Sequence, residues 1–411
     1  MKRIAVALLT GSLVLAGCRT TPTASVTLDY LGSHTVAQGT TVNGAAVGGL
    51  TGISYDAERD VFYLAGRAGS ASAAPTRFYV ARMQLWHAGV QSLEFLESHP
   101  WSTFAGAPMD SRNIDAMRWV FPPQAEGIAV DARRQRLYWS SEGERIVNGS
   151  DPAVLLDPAV RIADLDGRTM GTFTLPANLR MVPGGRGPRP DRTLTGLGLT
   201  PDGRWLWAAM EGPLHEDGPT PSAGRGALSR VTQLDPETGS ATAQYAYPLD
   251  PLTGADFDNG LADLVALDDS QFLVLERGSG ARNSARVYHA QVDDAENVLD
   301  RPSLNGAAVR PMTKTLLTDL TAAAGLAPGG NVEGIALGPA LPDGRRTVVL
   351  VTPGAQVLTF AMSDCRCQVT PRHIRSYGMP EFLMPQSPRS QGETTCHTHR
   401  TRSEAPQAPG R

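Results

Sequence analysis

The chain has 411 residues, 41% of them hydrophobic and 19% charged, with a formal net charge of -4. That is enough chain for a sizeable core, as two or three ordinary domains or as one large repeat fold. There is no basic excess, which argues against a nucleic-acid partner; the 43 Gly and 31 Pro punctuate many short strands and predict an all-β protein.

At the N-terminus, Met1, Lys2 and Arg3 precede an apolar run over 4–15 that ends in the sequence LAGC (15–18). A charged start, an apolar stretch and small residues at the cut predict a signal peptide over 1–17. The run is shorter than the roughly 20 residues a membrane-spanning helix needs. LAGC resembles the bacterial lipobox, which implies cleavage before Cys18 and lipidation of its thiol. The expectation is an exported protein anchored to the cell envelope, meeting the membrane only through that lipid. Residues 18–25, rich in Thr, Pro, Ala and Ser, read as a tether.

The body of the chain repeats itself. GLTGISYD (49–56) leads to VFYLAG (61–66), and AEGIAVD (125–131) leads to LYWSSEG (137–143). LTGLGLT (194–200) turns at PDG (201–203) into WLWAAMEG (205–212), and LADLVAL (261–267) leads to FLVLERG (272–278). The last unit is NVEGIAL (331–337), then PDG (342–344) and TVVLV (347–351). Each unit is a hairpin of two apolar strands. Third strands are predicted over 78–85, 160–165, 230–234, 286–292 and 357–362, and fourth strands over 171–175, 242–247 and 313–317. Four-stranded units repeated in this way predict a β-propeller over 26–362. The ring should have five to seven blades, six being preferred, with strand 26–31 completing the last blade. A helix is expected only around 316–326. Residues 363–411, where the composition changes abruptly, read as a disordered tail, and a reading frame shifted near Val351 would account for it.

Aligned repeats place Thr51, Glu126, Thr195, Asp263 and Glu333 in one column. Arg67, Glu142, Glu211, Glu276 and a position near Pro353 form a second. First strands line a propeller's channel, so equivalent positions converge at one mouth. Crowded carboxylates repel one another unless cations neutralise them. The acidic set Glu126, Glu142, Glu211, Asp263, Glu276 and Glu333 therefore suggests a metal site, and oxygen ligands without histidine favour Ca²⁺. The alternative is structural, with the carboxylates accepting N–H bonds from the next blade.

The segments GGLTG (48–52), EGIAVD (126–131), SEG (141–143), EGPL (211–214), LVLER (273–277), NVEGIAL (331–337) and LPDGRR (341–346) together resemble the bacterial proteins described as "esterase-like activity of phytase family". The resemblance runs over about 26–351. It implies a phytase-like propeller in which calcium at the channel mouth binds and polarises a substrate phosphate. By that resemblance Glu126, Glu142, Glu211, Glu276 and Glu333 are ligands of metal or water, with Glu126, Glu211 and Glu276 catalytic. Arg67 and Arg277 become phosphate contacts, since a guanidinium fork matches phosphate oxygens. The expected activity is calcium-dependent hydrolysis of a small phosphate ester or other ester at the cell surface. A serine esterase is disfavoured, because no G-x-S-x-G elbow occurs. EGIAVD followed by LYW (137–139) also resembles propellers of the low-density-lipoprotein-receptor type, which implies the alternative of a binding module without turnover.

Overall fold

A computed structural model describes residues 25–67, 75–109, 124–147, 153–254, 256–280, 283–323 and 331–365. The signal peptide, Cys18 and nearly all of the expected tail lie outside the described residues. Val26–Ser363 forms one compact unit.

That unit is a propeller of five four-stranded blades. Blade 1 comprises Leu50–Asp56, Val61–Gly66, Arg77–Trp86 and Gly89–Pro100; blade 2 comprises Ala125–Asp131, Arg136–Ser141, Ala159–Ala163 and Thr169–Thr172. Blade 3 comprises Leu194–Leu199, Leu206–Met210, Ala227–Asp235 and Ser240–Leu249; blade 4 comprises Asp256–Ala266, Gln271–Gly280, Ser284–Gln291 and Thr313–Asp319. Blade 5 takes Gly334–Ala340, Arg346–Val351 and Gln356–Cys365, and its outer strand is the N-terminal Ser25–Thr35. The ring is thus closed by pairing the first and last described strands in one sheet. Five blades is the lower end of the expected range; the residues beyond a compact repeat lie in long connections, such as 292–312 between the third and fourth strands of blade 4, and not in a sixth blade.

The core is divided into wedges between neighbouring blades. Trp139 of blade 2 stacks on Trp101, with ring centroids 4.7 Å apart, and both are fully buried. Trp207 of blade 3 meets Phe272 of blade 4 edge-on at 4.8 Å. Burying side chains of this size contributes roughly 1.5–3 kcal/mol each, so adhesion between blades is mainly apolar.

Around the axis each first strand packs on the first strand of the next blade. The packing is tight enough to demand glycine: a Cβ on Gly52 would fall 2.5 Å from the Glu126 carbonyl oxygen, and one on Gly127 2.3 Å from that of Thr195. The residue before each of these glycines, Thr51 and Glu126, sits in a bulge of its strand and faces the channel mouth.

Two expectations need correction. The segment 316–326 is not a helix in its first part: Thr313–Asp319 is the outer strand of blade 4, and only Leu320–Ala323 makes a helical turn. A frame shift near Val351 does not fit the strand Gln356–Cys365, in which Val357, Leu358, Phe360 and Met362 are buried in the wedges on either side of blade 5.

Candidate active site at the channel mouth

One mouth of the channel is lined by Thr51, Arg67, Glu126, Glu142, Thr195, Glu211, Ala262, Arg277 and Glu333. The residues come from equivalent places in all five blades. Thr51, Glu126 and Thr195 are second in their first strands, Ala262 sits at the bulge inside Asp256–Ala266, and Glu333 immediately precedes Gly334–Ala340. Arg67, Glu142 and Glu211 end or follow the second strands, each held by its own N–H to the carbonyl of Gly49, Gln124 and Thr193; Arg277 stands in the same register, opposite Gly260.

Two arginines divide the four glutamates between them. Arg67 pairs closely with Glu126 and lies 3.8 Å from Glu142. Arg277 reaches Glu211 at 2.9 Å and Glu333 at 2.7 Å, donating through one terminal nitrogen to each. Arg192, itself paired with Asp258, brings a second guanidinium to 3.5 Å from Glu211. Asn331 donates to Glu333 at 2.7 Å.

Burial sets the proton affinities. Desolvation raises the Glu126 carboxyl well above its ordinary range, although Arg67 opposes the shift. Glu142 is pushed up to about 7, first by burial and then by Glu211 and Asp191, against the pull of Arg67. Glu333 is raised mainly by burial, with Arg277 and Arg67 opposing. For Arg67, Glu126, Glu142 and Glu333 together outweigh desolvation, so its charge is secured. A carboxyl near 7 can both give and take a proton at neutral pH.

Two sequence-predicted residues are not brought to the mouth. Blade 4 carries Ala262-Asp263 where blades 1, 2, 3 and 5 carry a residue followed by glycine, so Ala262 takes the channel position. The Asp263 carboxylate instead accepts from the N–H groups of Leu197, Leu264 and Ile335 at 3.2, 2.8 and 2.9 Å, tying blades 3, 4 and 5 together. Burial raises its pKa. Glu276 is likewise one residue out of the column, which Arg277 occupies; alternate strand residues face opposite ways. Glu276 lies between blades 3 and 4, where Tyr247 Oη donates at 2.9 Å, Asn259 Nδ2 donates at 2.8 Å and Lys314 pairs closely. Arg192 was missed because it precedes the first strand of blade 3, outside the repeated pattern, and Asn331 because, although it opens the last repeat, its position is not one of the two aligned columns.

The all-oxygen donor set suits a hard cation, but its placement does not. Guanidinium groups stand between the carboxylates, and among the described residues no three Asp, Glu, His or Cys side chains are gathered to hold a metal ion.

Beside the ring, and sharing Thr51, Arg67 and Glu333 with it, opens a cavity of about 610 Å³. The ring's own void is only about 20 Å³. At the opposite mouth a cavity of about 780 Å³ is bordered by turn residues such as Asp56 and Asp131. Those carboxylates accept backbone N–H bonds from Glu58 at 2.9 Å and from Arg134 at 3.0 Å, so they serve the turns.

Among solved structures, a GH43 β-1,3-galactosidase with galactodeoxynojirimycin shares 12% identity, covering 81% of this chain and 96% of its own, with a TM-score of 0.42. A hypothetical protein from Leishmania major shares 12% identity, covering 81% and 90%, with a TM-score of 0.41. The periplasmic gluconolactonase of Pseudomonas aeruginosa shares 13%, covering 82% and 99%, with a TM-score of 0.34. Likenesses this distant say nothing about activity. No curated protein matches the sequence. The phytase-like family described as "Esterase-like activity of phytase" matches residues 45–352. The chain belongs to that phytase-like family.

Proposed function

We propose that the chain hydrolyses phosphate esters at the mouth formed by the four glutamates. The observation that carries this reading is that Arg67 and Arg277 are held there beside Glu142, whose carboxyl titrates at about 7. The two guanidiniums receive the phosphoryl oxygens and stabilise the charge that gathers on them as the ester bond breaks. Protonated Glu142 gives its proton to the departing alcohol oxygen, and water entering at phosphorus restores it. Glu126 and Glu211 hold the two arginines in place. We extend the proposal to export and to anchoring through Cys18; among the described residues no helix is long and apolar enough to cross a membrane.

The test is phosphate release from p-nitrophenyl phosphate by the purified chain. Turnover is expected, falling by about 100-fold or more in Arg67→Met and in Glu142→Gln, which is the scale of a lost electrostatic or acid–base contact. Calcium and a chelator are added in parallel, and a chelator-sensitive rate would make calcium part of the reaction.

The smallness of the ring void favours a second reading, a surface binding module whose acidic channel is structural. Under it no ester is turned over, while Glu126→Gln and Glu211→Gln change only the melting temperature.

A further inference from the structure

We infer that the substrate is an ester with a single anionic group and an uncharged, largely apolar alcohol part, and that this alcohol lies in the cavity beside the ring. The inference rests on the hydrolase reading above and narrows it. A ring void of about 20 Å³ has room for little more than a water molecule, so the reacting group meets Arg67 from the adjoining cavity, which Arg67 also borders. The rest of the substrate must occupy the adjoining 610 Å³, a volume typical of small-molecule sites.

Most of that cavity's wall is uncharged, its charged residues being Arg67, Arg77 and Glu333. The short hairpin of Thr41–Val42 and Ala45–Ala46, continuing into Val47, forms one side, with Pro75 and Pro353 nearby. The ring of Tyr79 lies at its base, and its hydroxyl latches the hairpin by donating to the Ala46 carbonyl at 2.5 Å. Two glycines keep the floor low: a Cβ on Gly66 would press 2.9 Å from Tyr79 Cε2, and one on Gly49, where φ is +64°, would fall 2.3 Å from the Arg67 carbonyl oxygen.

Charge counting points the same way. The cations of ring and cavity are Arg67, Arg277 and Arg77, and the carboxylates are Glu126, Glu142, Glu211 and Glu333. With every group ionised, three positive charges face four negative. Of these, the cavity wall itself carries Arg67 and Arg77 against the single carboxylate Glu333, an excess of one positive charge. One phosphoryl or carboxylate group is compensated by such a site. A polyol carrying a phosphate on every carbon is repelled, because each further anion meets carboxylates and apolar walls.

The experiment compares kcat/KM of the full chain on 2-naphthyl phosphate, glycerol 2-phosphate and inositol hexakisphosphate. The aryl ester should lead both others by about 10-fold or more, the worth of a modest apolar contact. Val47→Asp should remove most of that lead, and Ala46→Lys should narrow the gap to the hexakisphosphate. If Val47→Asp does not fold, Val47→Asn probes the same wall. Preference for the hexakisphosphate would overturn the inference and leave the hydrolase reading standing. Absence of turnover on all three, with no binding of inorganic phosphate, would remove both.

Discussion

Glu142 differs from the other mouth carboxylates in how loosely it is paired, 3.8 Å from Arg67, and this has a consequence for stability. In the unfolded chain its proton leaves near 4.5, and in the folded chain near 7. Between those values the native state keeps a proton that the unfolded state has lost, so its contribution is full below pH 4.5 and declines as pH rises through 7. The decline amounts to at most about 3 kcal/mol, and Glu126 and Glu333, also raised, act in the same sense. Urea denaturation at pH 5 and pH 8 should show the wild type losing more stability across that interval than Glu142→Gln; equal losses would refute the assignment. Glu142 and its companions Glu126, Glu211 and Glu333 were legible in the sequence because each stands beside a glycine in a repeated pattern. Asp263 and Glu276 were drawn into the same set by their charge, although blade 4 has no glycine at that place. A shift of one residue along a strand moves a side chain to the other face, which is why Asp263 binds backbone amides and Glu276 meets Lys314.

At the scale of elements, the hairpins were legible from alternating apolar runs bounded by turns, and the closing strand from its position ahead of the first repeat. Ser25–Thr35 lies on the outer edge of Gln356–Cys365; Val26 is buried, Leu28 packs on the same cluster, and Tyr30 approaches Phe360 at 5.3 Å. A chain beginning at residue 36 loses these contacts and leaves a long strand edge bare, a template for unwanted pairing. The apolar contacts alone are worth about 3–6 kcal/mol, so the melting temperature should fall by about 4–8 °C. A synthetic peptide of residues 25–35 added in trans should restore part of the loss. An unchanged melting curve would mean that the strand is an ornament and that blade 5 is stable with three strands. The connections were less legible than the strands. The segment 292–312 returns to blade 3, where the buried pair of Arg230 and Asp217, at 2.6 Å, holds it through the Arg301 carbonyl and the Leu304 N–H; no repeat announces such a contact.

At the scale of the whole molecule, the five-bladed ring brings together side chains that lie up to 282 residues apart in the chain, from Thr51 to Glu333. Its carboxylates are partly neutralised from within: each arginine stands between two of them, where a divalent ion would otherwise be expected. Replacing both arginines, as Arg67→Met with Arg277→Met, leaves four buried glutamates facing one another. Their repulsion, and the loss of two buried partners, should cost a few kcal/mol at pH 8. The same change turns the mouth into a cage of carboxylate oxygens with only Arg192, 3.5 Å from Glu211, left as a competing cation, a setting closer to the one calcium prefers. Millimolar calcium should then raise the melting temperature of the double variant, because an ion bound at 100 times its dissociation constant stabilises by about 2.7 kcal/mol, while magnesium, which demands a stricter geometry, should do less. The wild type should respond little to either ion. A wild-type chain stabilised by calcium as strongly as the double variant would mean that the arginines give way to the metal, and that the balance of charge at the mouth is set by an ion after all.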